Sequence, residues 1–226
     1  MVATAHNLIH SGAYTLDQLA AFAGIGSTAK ARRWLFGSNS GEAAVIPMYG
    51  RDESLSSFVD MVQLMAIRDI RLHRKISLDK IRETILVASG MGISYPFARK
   101  HQTYVFMDDV VIRLSDGSIV GATGKYRHDL LMEPIVERYM QDIGFDADGL
   151  AVEYTPMRDR GSRIVLSPKH RFGAPVVLPC NYTVETLVCA VQSEGSVLRA
   201  ARTFGVDQAD VRLALRYDES LRREPA

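Results

Sequence analysis

The chain has 226 residues, 47% of them hydrophobic and 23% charged, which is ordinary for a globular protein and long enough to build a core without disulfides or metals. Cys180 and Cys189 lack CxxC spacing, no run approaches the roughly 18 apolar residues of a membrane span, and "MVATAHNLIHSGAY" has no leader pattern, so a cytoplasmic protein with two reduced thiols is expected. The net charge of +1 is uneven: residues 1–100 hold 12 Lys/Arg against 8 Asp/Glu, 101–166 hold 7 against 11, and 167–226 hold 8 against 7, so any polyanion partner belongs at the N-terminal end.

The first hundred residues read as mostly helical. Thr15 is placed to cap a helix over "LDQLAAFA", and Ser27 one over "TAKARRWLF". "GSNSGEAAVIPMYGRDES" sets Gly, Ser and Asn around a short apolar run, the pattern of a hairpin or wing. "SFVDMVQLMAIRDIRLHR" has apolar residues at Phe58, Val62, Leu64, Met65, Ile67 and Leu72, read as an amphipathic helix with a basic distal end. Ser77 then caps "LDKIRETILVAS", which Gly90 and Gly92 end.

Further on the period changes. "TYVFMDDVVIRLSDGSIVGATGKY" is β-branched and aromatic, with Asp116-Gly117 marking a hairpin turn. "HDLLMEPIVERYMQDIGF" returns to helical spacing, Pro134 sitting in its first turn or kinking it. "GLAVEYTPM" and "SRIVLSP" are strands about the polar loop "RDRG"; an extended "SPKHRFGAPVVLPCNYT" leads into the closing helices. Soft boundaries divide the chain into a helical part over 1–100, a small α/β part over 101–166 and a helical part over 167–226, giving an α+β, mostly α protein.

Two stretches have the spacing of a helix-turn-helix, which needs a small residue, a turn glycine four positions on, and apolar anchors ten and thirteen on. Ala201, Gly205, Val211 and Ala214 fit. The N-terminal stretch fits with Ala21, Ala31 and Trp34, but Ile25 falls at the turn position between Gly24 and Gly26, leaving its register open by one residue. Their chemistry ranks them the other way. In the C-terminal unit Asp207, Gln208, Ala209 and Leu213 would face a groove, where a carboxylate and a leucine are poor partners for phosphates and base edges, whereas the N-terminal unit offers Ser27, Thr28, Lys30, Arg32 and Arg33. Trp34 reads as a core anchor.

Catalysis finds little support. His6, His10, His73, His101, His128 and His170 show no HExxH or HxH spacing; Asp129 reads as a helix cap and Asp108-Asp109 as an exposed strand or turn. "GATGK" lacks the spacing of a phosphate loop. No metal, cofactor or enzyme activity is expected.

"YTLDQLAAFAGIGSTAKARRW", followed by "YGRDESLSSFVDMVQLMAIRDIRLHRKISLDKIRETI", resembles the MerR-type winged helix-turn-helix, departing from it at the extra turn residue and at the missing glycine within "RKISLDKIR". The stretch from Ile164 to Tyr217 resembles a small antitoxin-like domain of formerly unknown function, through Pro168, Phe172-Gly173, Pro175, Thr183, Leu187, Glu194-Gly195, Ala201, Phe204-Gly205, Val211, Ala214 and Tyr217; Ser167 stands where that pattern has Asp. Both modules in this order are similar to a VapB-type antitoxin family. The resemblance implies a PIN-domain ribonuclease toxin as partner and repression of the chain's own operon through double-stranded DNA.

On that reading Lys30, Arg32 and Arg33 enter the groove, Ser27 and Thr28 hold phosphate at the helix N-terminus, and Arg51 sits on the wing. A homodimer is expected, since palindromic operators offer two half-sites, with helix 57–73 or the C-terminal part as its interface. The carboxylate cluster of a PIN nuclease would be masked by Arg158, Arg160 and Arg163, or by Arg222 and Arg223. The alternatives are a stand-alone MerR-like regulator whose middle part senses a ligand, and a scaffold that uses these folds only to pack.

Overall fold

The computed structural model describes residues 14–38, 43–46, 55–100, 103–106, 109–113, 119–121, 124–126, 133–134 and 141–223. The chain divides into two compact units, His10–Ala151 and Val152–Ala226. The division falls near 151 rather than near 100 and 167, because the middle strands pack on N-terminal helices and the next hairpin packs on the C-terminal ones. The fold is α+β and mostly helical, with a helix-turn-helix in each unit.

In the first unit, α1 (Leu16–Phe22) starts at Thr15, whose hydroxyl accepts from Gln18 N–H while the Gln18 side chain caps Thr15 in return. α2 (Thr28–Phe36) starts at Ser27, whose hydroxyl accepts from Lys30 N–H. α3 (Phe58–Asp69) begins with a reciprocal Ser57–Asp60 cap and runs into a π-helical turn over Ile70–Arg74 that Lys75 closes at φ 56°. α4 (Leu78–Gly90) is capped by Ser77, and Gly92 follows its end at φ 77°.

Helix α3 is not the one-sided amphipathic helix its spacing suggested: every residue from Phe58 to Ile67 is buried, Asp60 and Gln63 included. A helix apolar on nearly all sides is an interior helix. Residues 58–67 are therefore spent on their own unit's core and cannot serve as the dimer face assigned to helix 57–73. The π turn beyond them exposes Arg71, His73, Arg74 and Lys75.

Antiparallel strands β1 (Thr103–Phe106), β2 (Asp109–Arg113), β3 (Ile119–Gly121), β4 (Gly124–Tyr126) and β5 (Glu133–Pro134) form a sheet in the order β4-β3-β2-β1-β5. Helix α4 packs on β2, where the Thr84 hydroxyl lies 3.3 Å from the Val110 carbonyl oxygen. Pro134 thus lies in an edge strand, where its missing N–H costs no ladder bond, and not in a helix. β6 (Ile143–Phe145) also takes residues read as helical. The Asp116-Gly117 turn, Asp108, Asp129, and the rest of that helix lie outside the described residues.

In the second unit, β7 (Ala151–Asp159), β8 (Ser162–Leu166), β9 (Val176–Leu178) and β10 (Tyr182–Thr183) are successive antiparallel neighbours. The β7–β8 turn is Arg160-Gly161, at φ 46° and 92°, the positive pair a two-residue hairpin turn prefers. Helices α5 (Val184–Glu194), α6 (Val197–Phe204) and α7 (Gln208–Arg222) follow. Their apolar faces close the core over β8 and β9 through Leu187, Ala201, Val211, Leu213, Ala214 and Tyr217.

Both cysteines are free. Burial pushes the half-buried Cys180 thiol above its ordinary pKa. Iodoacetamide near neutral pH is expected to modify exposed Cys189 well before Cys180, because less of Cys180 is thiolate; mass mapping of a time course checks this. Equal rates would refute it.

Candidate nucleic-acid interface

The two helix-turn-helix units end their first helices in the same way. In the N-terminal one, Gly24 N–H donates to Ala21 O (3.1 Å) and Ile25 N–H to Ala20 O (2.9 Å), with Gly24 at φ 65°. In the C-terminal one, Gly205 N–H donates to Arg202 O (3.3 Å) and Val206 N–H to Ala201 O (3.0 Å), with Gly205 at φ 64°. Both are Schellman turns. They align Ala20 with Ala201 and Gly24 with Gly205, so the small contact residue is Ala20, 4% exposed, and not Ala21. The extra turn residue then falls between Gly24 and Ser27, which restores Ala31 and Trp34, 0% and 2% exposed, as the anchors seating α2.

Helix α3 sets the position of this turn. Arg68 Nη1 donates to Ala23 O at 2.9 Å and fills the space above Gly24, where an added Cβ would lie 2.1 Å from that nitrogen. At the other end of α2, the Trp34 carbonyl accepts from Val45 N–H at 2.7 Å and Ile46 N–H at 3.2 Å, and Arg82 Nε donates to Ala43 O at 3.0 Å. α2 is thus fixed at both ends by elements outside it.

With Ala31, Trp34 and Leu35 inward, residues 29, 32, 33 and 36 fall on the opposite face of α2. Arg32 and Arg33 are exposed there, the Arg32 guanidinium lying 5.8 Å from the centre of the Phe36 ring. Lys30 lies on the flank with Nζ 5.4 Å from the Trp34 ring centre. Ser27, Lys30, Arg32 and Arg33 line one shallow depression of about 510 Å³ with Ala29, Gly37 and Ser38.

Thr28 is placed differently. Its hydroxyl donates to Asp17 Oδ1 at 2.6 Å, which sets a carboxylate beside the N-terminus of α2 and commits the hydroxyl hydrogen elsewhere than to a phosphate. Arg51 and most of the wing lie outside the described residues.

The remaining candidates are in the second unit. Arg158, Arg160 and Arg163 are exposed together at the β7–β8 tip, with Arg158 and Arg163 directly opposite one another across the hairpin. Arg163 approaches Glu153 at 3.9 Å, and Asp159 pairs with Arg216 of α7. Arg222 and Arg223 instead end α7 in ion pairs with Asp218 (2.9 Å) and Glu219 (3.0 Å), so this tail is helical through Arg222.

Leu213, which the sequence reading set toward the groove, is fully buried; the outward column of α7 is Gln208, Arg212, Arg216 and Glu219. Steps of four, four and three from Gln208 would have found it. Among the described residues, no group of three or more His, Cys, Asp or Glu is placed to hold a metal ion, and no helix is long and apolar enough to cross a membrane.

No protein-family model matches the chain, and no curated protein matches it. The crystal structure of Rv2018 from Mycobacterium tuberculosis is similar over 91% of this chain and 98% of its own, with a TM-score of 0.54 at 20% identity, a likeness of fold.

Proposed function

We propose that the protein is the antitoxin of a toxin–antitoxin pair, repressing its own operon by binding double-stranded DNA through α2 and neutralising a PIN-type ribonuclease. The observation that carries the DNA half is the exposed Arg32–Arg33 face on a helix held at both ends by other elements. Fixed donors are what base-edge reading requires, since a guanidinium fork discriminates guanine only when its approach is constrained. The nuclease half rests on the sequence resemblance, and the arginines of the β7–β8 tip support it as a cluster able to meet metal-binding carboxylates.

Fluorescence-anisotropy titration against the chain's own upstream DNA, with scrambled DNA as control, tests the first half. Selective binding that weakens steeply between ~50 and ~200 mM salt supports it; binding that is absent, or flat with salt, removes it. For the second half, alanine at Arg158, Arg160, Arg163, Arg222 and Arg223 together should abolish inhibition of the partner nuclease. Intact inhibition would discard these five residues as the masking group.

Asp17→Asn gives a gain-of-binding test. The amide oxygen still accepts the Thr28 hydroxyl, while the negative charge beside the α2 N-terminus disappears. DNA affinity at low salt is expected to rise about two- to fivefold, from the roughly 0.3–1 kcal/mol that a charge at a helix end contributes. A fall in affinity would place the duplex elsewhere.

A further inference from the structure

The C-terminal helix-turn-helix has a complete frame and a surface the function above leaves unused. Its Schellman turn closes on Gly205, Ala201 is the small contact at 4% exposure, and Val211 and Ala214 seat α7 at 0%. Its outward column offers Gln208 and Arg212 within the first two turns and Arg216 one turn on. Gln208 Oε1 accepts from Arg212 Nη2 at 2.7 Å. That bond uses one guanidinium N–H and one lone pair of Oε1, so the Gln208 amide hydrogens and the other guanidinium N–H groups take no part in it.

We propose that α7 is a second helix that reads duplex DNA, with Gln208 and Arg212 directed to base edges and Arg216 to a phosphate. Glutamine pairs with adenine N6 and N7, arginine with guanine O6 and N7, and both lie at the N-terminal end of the helix that enters a groove in this motif. Asp207, the N-cap residue, lies about 140° around the helix from Arg212 and about 100° from Gln208, off the column itself. The Asp159–Arg216 pair and the Ser162 hydroxyl donating to buried Asp210 fix α7 against the β7–β8 hairpin, and the column carries Arg212 and Arg216 against Glu219. This inference is independent of the reading of α2.

The test titrates the full chain with its own upstream duplex and with scrambled duplex, across ~50–200 mM salt, as wild type, Arg212→Ala/Arg216→Ala and Arg32→Ala/Arg33→Ala. The α7 pair should lose about ten- to a hundredfold in affinity, and its log–log salt slope should flatten by about one, for the Arg216 phosphate contact. Arg212→Lys/Arg216→Lys keeps the charge and should restore the slope, which separates charge loss from misfolding. Gln208→Ala should leave the slope unchanged and relax preference at one base position. An Arg212→Ala/Arg216→Ala protein indistinguishable from wild type overturns the proposal, even if the α2 variant is defective. Loss in the α7 variant alone upholds it and removes α2 as the reader. Absence of binding to either duplex at ~50 mM salt overturns both.

Discussion

Gly24→Ala is expected to destabilise the protein by about 2.5–5 kcal/mol and Gly205→Ala by only about 1–2, although both glycines hold the same place in the same turn motif. Their backbones are nearly identical, at φ 65° and 64°, so a Cβ costs each the left-handed strain of roughly 1–2 kcal/mol. The difference is the neighbour. Nothing lies within 4 Å of a Cβ at Gly205, whereas at Gly24 it would meet Arg68 Nη1 at 2.1 Å. The arginine would swing aside and leave the Ala23 carbonyl, a charge-assisted bond contributing about 1.5–3 kcal/mol. Denaturant melts of the two variants and of Arg68→Ala measure this. Equal costs at the two glycines would show that Arg68 contributes nothing to the turn.

Arg32→Ala/Arg33→Ala is expected to lower affinity for the chain's own upstream DNA by about a hundred- to a thousandfold, with stability changed by less than about 0.5 kcal/mol. The two effects separate because both side chains are exposed while the anchors Ala31, Trp34 and Leu35 are untouched. Loss of a base-edge contact falls mainly on the cognate duplex, and loss of a phosphate contact falls equally on all sequences and flattens the salt slope by about one per arginine. Running the same titration on scrambled DNA therefore assigns each arginine a role. Unchanged affinity on both duplexes would end the case for α2.

Local signals were the legible ones. Thr15, Ser27 and Ser77 each open a helix, and a serine or threonine followed by helical spacing is a signal written within four residues. The hairpin about Arg160-Gly161 and the C-terminal helix-turn-helix were legible for the same reason. What escaped depends on distant partners. Ala20 rather than Ala21 became the contact because the Schellman turn counts back from Gly24, and Pro134 entered a strand because β1 was there to pair with. The burial of α3 on all sides follows from packing that no hydrophobic period announces. Leu213 was misplaced by treating consecutive residues as one face, although helical rotation turns it inward beside Ala214. At the candidate interface the basic residues of α2 could be read directly, but the Thr28–Asp17 bond joins residues eleven apart and needed the turn geometry first.

The wholly interior helix α3 has a consequence for how any binding here can be regulated. Its residues 58–67 are buried, and its Arg68 holds the Ala23 carbonyl, so the turn preceding α2 cannot open without breaking that bond. Amide protons of α3 should exchange only through global unfolding, with those of the Gly24 turn close behind. A segment without a low-energy open state offers no populated second conformation for a small ligand to select. Control of such a protein then falls to its abundance and to what occupies its surface, set by synthesis, degradation and partner stoichiometry, more than to an internal switch.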